Sequence, residues 1–131
     1  MTDYLLNDFI NYRLNRAKET ILEVEVLIEN KFWNTAINRM YYSCFYVVGA
    51  ILVKNKIDVS SHSGSRQKFG HLFVQSGKIS KDLAKCYTEL FEKRLKGDYN
   101  DFFDNDEATV LRLFEPTKKF IKKVEELILS N

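Results

Sequence analysis

From Trp33 to Asn55 the chain carries a helical pattern with almost no polar face. Trp33, Ile37, Met40, Cys44, Val47, Val48 and Ile51 recur at the three- and four-residue spacing of one helix side. Tyr42, Phe45, Tyr46 and Gly49 stand on a second side, so between Met40 and Val53 hardly any surface is left for water. A helix of this kind must be covered, either by other helices or by a second subunit. Gly49, in its interior, gives up about 1 kcal/mol of helix propensity relative to alanine, which points to the close approach of a neighbouring helix.

The rest of the chain supplies the cover. Ile10, Leu14, Ala17, Ile21, Val24 and Ile28 step alternately by four and three, with Glu and Lys on the other side, and the stripe stops at Asn30. The second helix is expected from about Asn34 to Asn55. A serine-rich loop, Lys56 to Ser65, then leads into a short third helix, about Ser65 to Ser76, with Phe69, Leu72 and Phe73 on its apolar side. Gly77 closes it as a C-terminal glycine. Ser80 is a good N-cap for a fourth helix, on which Leu83, Cys86, Tyr87, Leu90, Phe91 and Arg94 share a face.

Beyond Gly97 the chain turns acidic, and Asp104 with Glu107 reads as an aspartate version of a capping box that opens the last helix. Val110, Leu113, Phe114, Thr117, Ile121, Val124 and Ile128 form its stripe. Pro116, the one proline, removes a backbone donor inside it and is expected to kink it. No strand pattern and no internal repeat is present. The expected fold class is all-α, an antiparallel up-and-down helical bundle of about five helices, as a single domain over all 131 residues.

Charge excludes the broadest electrostatic functions. Twenty basic residues against eighteen acidic ones leave a formal charge of +2, so attraction to nucleic acid or membrane must be local. Cys44 and Cys86 sit in apolar runs without metal or redox spacing and read as buried small hydrophobes. The opening MTDYLLNDFINYR has no basic n-region, and the apolar run Cys44 to Val53 is too short to span a bilayer, so a cytoplasmic protein is expected. No residue set has metal-ligand spacing, and there is neither a glycine-rich phosphate loop nor a Ser-His-Asp arrangement; no cofactor is expected.

The chemistry concentrates in KRLKGDYNDFF, Lys93 to Phe103, which gathers Arg94, Asp98, Tyr99 and Asp101. Arg39 lies on the otherwise apolar second helix, and a buried charge needs a partner. Asp98 or Asp101 is available to pair with Arg39 or Arg94 and pin helix ends together, with the Tyr42 and Tyr99 hydroxyls completing the network. The same cluster is equally suited to hold a phosphate or nucleotide. His62, in SSHSG, either joins Ser61, Ser63 and Gly64 in presenting donors to an anion at a helix start, or caps and packs its loop. Lys118, Lys119, Lys122 and Lys123 read as a solvated face, with a weak RNA contact as the alternative.

Four segments in series, AINRMYYSCFY (36–46), HSG (62–64), FGHLFVQSG (69–77) and RLKGDYNDF (94–102), resemble the HEPN family. More narrowly, the chain resembles the small stand-alone bacterial and archaeal HEPN proteins, over nearly its whole length. The resemblance implies a helical bundle that commonly dimerises, here through the aromatic-rich helices. It also implies a gene often found beside a small nucleotidyltransferase, as a toxin–antitoxin-like pair. Many HEPN proteins are metal-independent ribonucleases, in which an arginine is followed after four to six residues by a histidine. Arginine can hold the scissile phosphate bidentately, and histidine can move a proton near neutral pH.

Arg94 matches that arginine, but the positions due for histidine hold Tyr99, Asn100 and Asp101. An aspartate, with an ordinary pKa of about 4, is a poor proton donor at neutral pH. Arg66 and His71 repeat the spacing, away from the family's catalytic position and about 140° apart around a helix. The resemblance therefore implies a nucleotide- or RNA-associated partner without strong catalysis. The alternatives are a metal-independent endoribonuclease using Arg94 with Asp98 or Asp101, and a purely structural interaction module. In related toxins a tyrosine near this motif is modified with AMP by the partner, which makes Tyr99 the candidate here.

Overall fold

In the computed structural model, which describes residues 2–99 and 104–130, the described residues form five helices and no strand. These are α1 (Asp3–Glu29), α2 (Trp33–Lys54), α3 (His62–Phe69, continued by a π-helical turn at Gly70–Val74), α4 (Lys81–Tyr99) and α5 (Glu107–Leu129). The up-and-down bundle follows from how each helix is stopped and started. At Asn30 the side-chain amide donates to the Val26 carbonyl at 2.8 Å. Lys31 then takes a left-handed φ of 61°, which reverses the chain into α2.

Helix α2 is central, packed by α1, α3, α4 and α5. Ile37, Met40, Tyr41, Cys44, Val47, Val48 and Ile51 are all buried, whereas Tyr42, Phe45 and Tyr46 on the second side stay half-buried. Among the described residues α2 is the one helix long and apolar enough to cross a membrane, and 61% of its most apolar stretch is buried inside the bundle. The close approach at Gly49 comes from a side chain: a Cβ there would stand 3.3 Å from Nη1 of Arg13 on α1.

Two expected helix starts shift, and the first helix opens ahead of its apolar stripe. Helix α1 begins at Asp3, a full seven residues before its buried stripe, because the Thr2 hydroxyl accepts from the Leu5 amide at 3.2 Å. Helix α3 begins at His62 and not at Ser65, since Ser61 is the N-cap, its hydroxyl accepting from the Gly64 amide at 2.8 Å. Helix α5 is capped by Asp106 and not Asp104: the Asp106 carboxylate accepts from the Thr109 amide at 2.8 Å. Asp104 instead accepts from the Asn34 side-chain amide at 2.9 Å, tying the entry of α5 to the start of α2.

Ser80 does cap α4, accepting from the Leu83 amide at 3.1 Å, and Gly77 takes the positive φ of 83° that its turn requires. Helix α5 is one helix through Pro116, and the next residue, Thr117, donates its hydroxyl to the Leu113 carbonyl at 2.7 Å. An aromatic pillar joins three helices: Phe120 of α5 lies 5.6 Å from Phe69 of α3 and 5.5 Å from Tyr87 of α4, ring centre to ring centre. Cys44 and Cys86 are free and buried, and burial pushes both thiols up, away from the reactive thiolate.

Candidate functional site

Arg94 rides on the face of α4 that carries Leu90 and Phe91 into the core, so its guanidinium is drawn into the seam with α2. The side chain is only 15% exposed. Its Cζ stands 5.3 Å from the Tyr41 ring centre and 5.6 Å from that of Tyr42. A desolvated cation over aromatic faces gains about 1–2 kcal/mol, which holds the long side chain in one place. Nε lies 3.2 Å from the Asp98 carboxylate one turn on, yet at an angle that leaves this buried donor without a hydrogen bond.

A cleft of about 340 Å³ opens beside it, lined among others by Asn34, Asn38, Lys93, Arg94, Asp98 and Asn105. Asn34 and Asn38 are four apart on α2 and therefore share a face. Asn34 also accepts from the Asn105 amide at 2.7 Å, and Asn38 accepts from Arg39 through Nε at 3.1 Å and Nη2 at 2.9 Å. The walls thus carry amides that hydrogen bonds hold in place, and among the described residues the basic pair Lys93 and Arg94 faces the carboxylate of Asp98.

The aspartate pairing differs from one sequence expectation. Arg39 bonds Asn38 and stacks 4.9 Å from the Tyr42 ring centre; Asp98 pairs with Arg94, within one helix, so that ion pair does not pin α2 to α4. The Tyr42 ring, rather than its hydroxyl, meets both guanidiniums. Tyr99, the last residue of α4, is 82% exposed. Asn100 and Asp101 lie outside the described residues.

His62 also turns inward rather than toward an anion. Its Nδ1 is 2.6 Å from the Tyr41 hydroxyl, its ring stacks 4.3 Å from that of Phe45, and the nearby Gly64 amide is already taken by Ser61. Burial, and then the positive charge of Arg94, push the imidazole pKa down, with a smaller opposing pull from Asp98. Burial likewise pushes the Tyr41 phenol far up, against the influence of Arg94. Tyr41 was not singled out in the sequence, and its role emerges only because α3 folds back over α2. Asn34 and Asn38 carried a weak signal, two amides one turn apart at the head of an apolar helix.

A pH dependence follows from His62. Its folded pKa is depressed, so the unfolded chain binds the proton more readily; the stability it contributes is complete above about pH 6.5 and is lost as pH falls through the folded value. Thermal melts between pH 8 and 5 are expected to show a decline below that point that is shallower in His62→Gln. An identical slope in the variant would remove His62 from this account.

Arg66 packs its guanidinium 4.7 Å from the Phe91 ring centre, while His71 contacts Gln75 at 3.2 Å. Of the α5 lysines, Lys118 pairs with Glu115 at 2.9 Å.

Comparison with known proteins gives consistent matches. The sequence model of the HEPN domain matches residues 10–127. A UPF0332 protein of Thermotoga maritima is 35% identical over 119 residues, 91% of this chain and 90% of that protein. A Methanocaldococcus jannaschii protein named as a candidate toxin is 25% identical over 117 residues, 89% of this chain and 80% of its own. Among solved structures, a tri-AMPylated Shewanella oneidensis HEPN toxin in complex with MNT antitoxin shares the fold. Its TM-score is 0.61 at 17% identity, covering 96% of this chain and 99% of that one.

Proposed function

The chain belongs to the HEPN domain family, and from that premise we propose that it is one half of a toxin–antitoxin-like or defence pair with a nucleotidyltransferase, associating with RNA or a nucleotide through Arg94. The observation that carries this reading is the Arg94 guanidinium, fixed over two tyrosines, with an unbonded Nε and a polar cleft beside it. Such a group is prepared for a phosphate, which it can grip in fork geometry at little further cost in side-chain order.

Catalysis is weak or absent on this reading. Described residues after Arg94 offer Asp98, already held against the guanidinium, in place of an imidazole. The nucleotidyltransferase partner is supported by the MNT antitoxin bound to the Shewanella protein. Tyr99 suits the role of modification site: its phenol is open to a second protein, and it follows Asp98 directly at the edge of the Arg94 cleft. A cytoplasmic homodimer, joined through the half-buried Tyr42, Phe45 and Tyr46 side of α2, completes the proposal.

A metal-independent endoribonuclease is the second reading, with Arg94 binding phosphate and Asp98 or Asp101 as base. One observation favours it: His62 lies 2.6 Å from the hydroxyl of Tyr41, the residue over whose ring the Arg94 guanidinium stands at 5.3 Å. Fluorescence anisotropy of labelled single-stranded RNA in EDTA, with a gel for cleavage, separates the two. Binding that weakens steeply with salt and leaves the RNA intact is expected. Cleavage lost in both Arg94→Ala and His62→Ala would transfer the function to the second reading, and no binding at all would overturn both.

A further inference from the structure

A second groove, of about 420 Å³, lies between α3 with its π turn and the first half of α4, and it shares no lining residue with the Arg94 cleft. Arg66, His71, Lys81 and Lys85 line it, and among the described residues no carboxylate does. Lys81 and Lys85 are one helical turn apart on α4, so they present their charges together, and neither is engaged in an ion pair with another described residue.

Two buried donors in this lining lack partners. Arg66 is held over Phe91, yet its buried Nε makes no hydrogen bond. Tyr87 is 1% exposed, and its hydroxyl is likewise unbonded. Burial, followed by the neighbouring Tyr41 phenol, keeps that hydroxyl protonated. Buried donors without partners are uncommon and cost about 1–3 kcal/mol each, so two in one lining ask for an explanation.

The backbone adds a third observation. Gly70–Val74 is a π-helical turn, a rare form that is frequent at functional sites. It starts at Gly70, where a Cβ would meet nothing within 4 Å, so the groove is open at that point. Phe69, Val74 and Ala84 contribute apolar lining. A wall of apolar side chains beside clustered cations, in a volume suited to a small molecule, fits a planar ring that carries phosphate.

We propose that this groove is a second binding site, distinct from the Arg94 cleft, that takes a nucleotide with its phosphate toward Arg66, Lys81 and Lys85 and its base against Val74 and Ala84. The nucleotide is either free or one unit of a single-stranded RNA. Arg66 and His71, which stand in the sequence at the family's arginine-to-histidine spacing, both line this groove.

Calorimetric titration with AMP, and anisotropy with a short 5′-phosphorylated oligouridylate, would be run on the wild type, Lys81→Glu/Lys85→Glu and Arg94→Ala. The double variant changes only exposed side chains of α4. AMP affinity is expected to fall about tenfold or more in it, whatever share of AMP binding Arg94→Ala removes at its own cleft. Gly70→Leu, which adds its side chain in open space, is expected to weaken AMP without lowering the melting temperature. Oligouridylate binding that shows these losses without any AMP binding assigns the groove to RNA. Affinities unmoved by the double variant, an AMP loss confined to Arg94→Ala, or no binding of either probe overturns the proposal; the Arg94 arm alone reports on the cleft.

Discussion

Arg94→Ala is expected to weaken single-stranded RNA binding by about ten- to a hundredfold, the equivalent of the roughly 1.5–3 kcal/mol carried by a charge-assisted contact to phosphate. Arg94→Lys should recover little of it, because an ammonium keeps the charge but not the fork. The same change should alter stability by only about 1 kcal/mol, since it removes ring contacts to Tyr41 and Tyr42 and a solvent-screened pair with Asp98. Anisotropy and thermal melts on the same preparations check both halves. RNA affinity unchanged beside a melting temperature lowered by many degrees would make the Arg94 cluster structural, as an interaction module requires.

Phe120→Ala is expected to cost about 3–5 kcal/mol, much of the roughly 5–15 kcal/mol that holds a domain of this kind together. Phe120 is fully buried and stands between Phe69 and Tyr87, so its loss opens a cavity where α3, α4 and α5 meet. No small shift of one helix closes a gap bounded by two rings that are themselves packed: Tyr87 stacks on Tyr41 at 6.1 Å. Urea denaturation followed by circular dichroism measures the effect. A cost under about 1 kcal/mol would mean that this pillar does not carry the packing assigned to it.

The features that the sequence made legible are those decided within a few residues. The two-sided apolar pattern of α2 required a central helix, and Asn30, Asn55 and Ser80 ended or began helices where short side chains reach nearby backbone groups. Crowded alternatives hid the rest. Ser60, Ser61, Ser63 and Ser65 all suit a cap, and only packing selects Ser61; Asp104 and Asp106 compete in the same way for α5. Arg94 was legible through its motif. Its surroundings were not, because the contacts of Tyr41 with His62 and of Asn34 with Asp104 join residues 21 and 70 positions apart. For Arg39 the charge was evident and the contacts were not: among the described residues a neighbouring amide and a tyrosine ring meet it.

Pairing with a nucleotidyltransferase is the central claim, and native mass spectrometry of the protein purified from its own cells tests it most directly. The predicted result is a complex that contains a nucleotidyltransferase, or a nucleotide mass added to the chain and mapped by peptide fragmentation to Tyr99. A chain that is unmodified and free of any nucleotidyltransferase, in preparations from growing and from stressed cells alike, would contradict it.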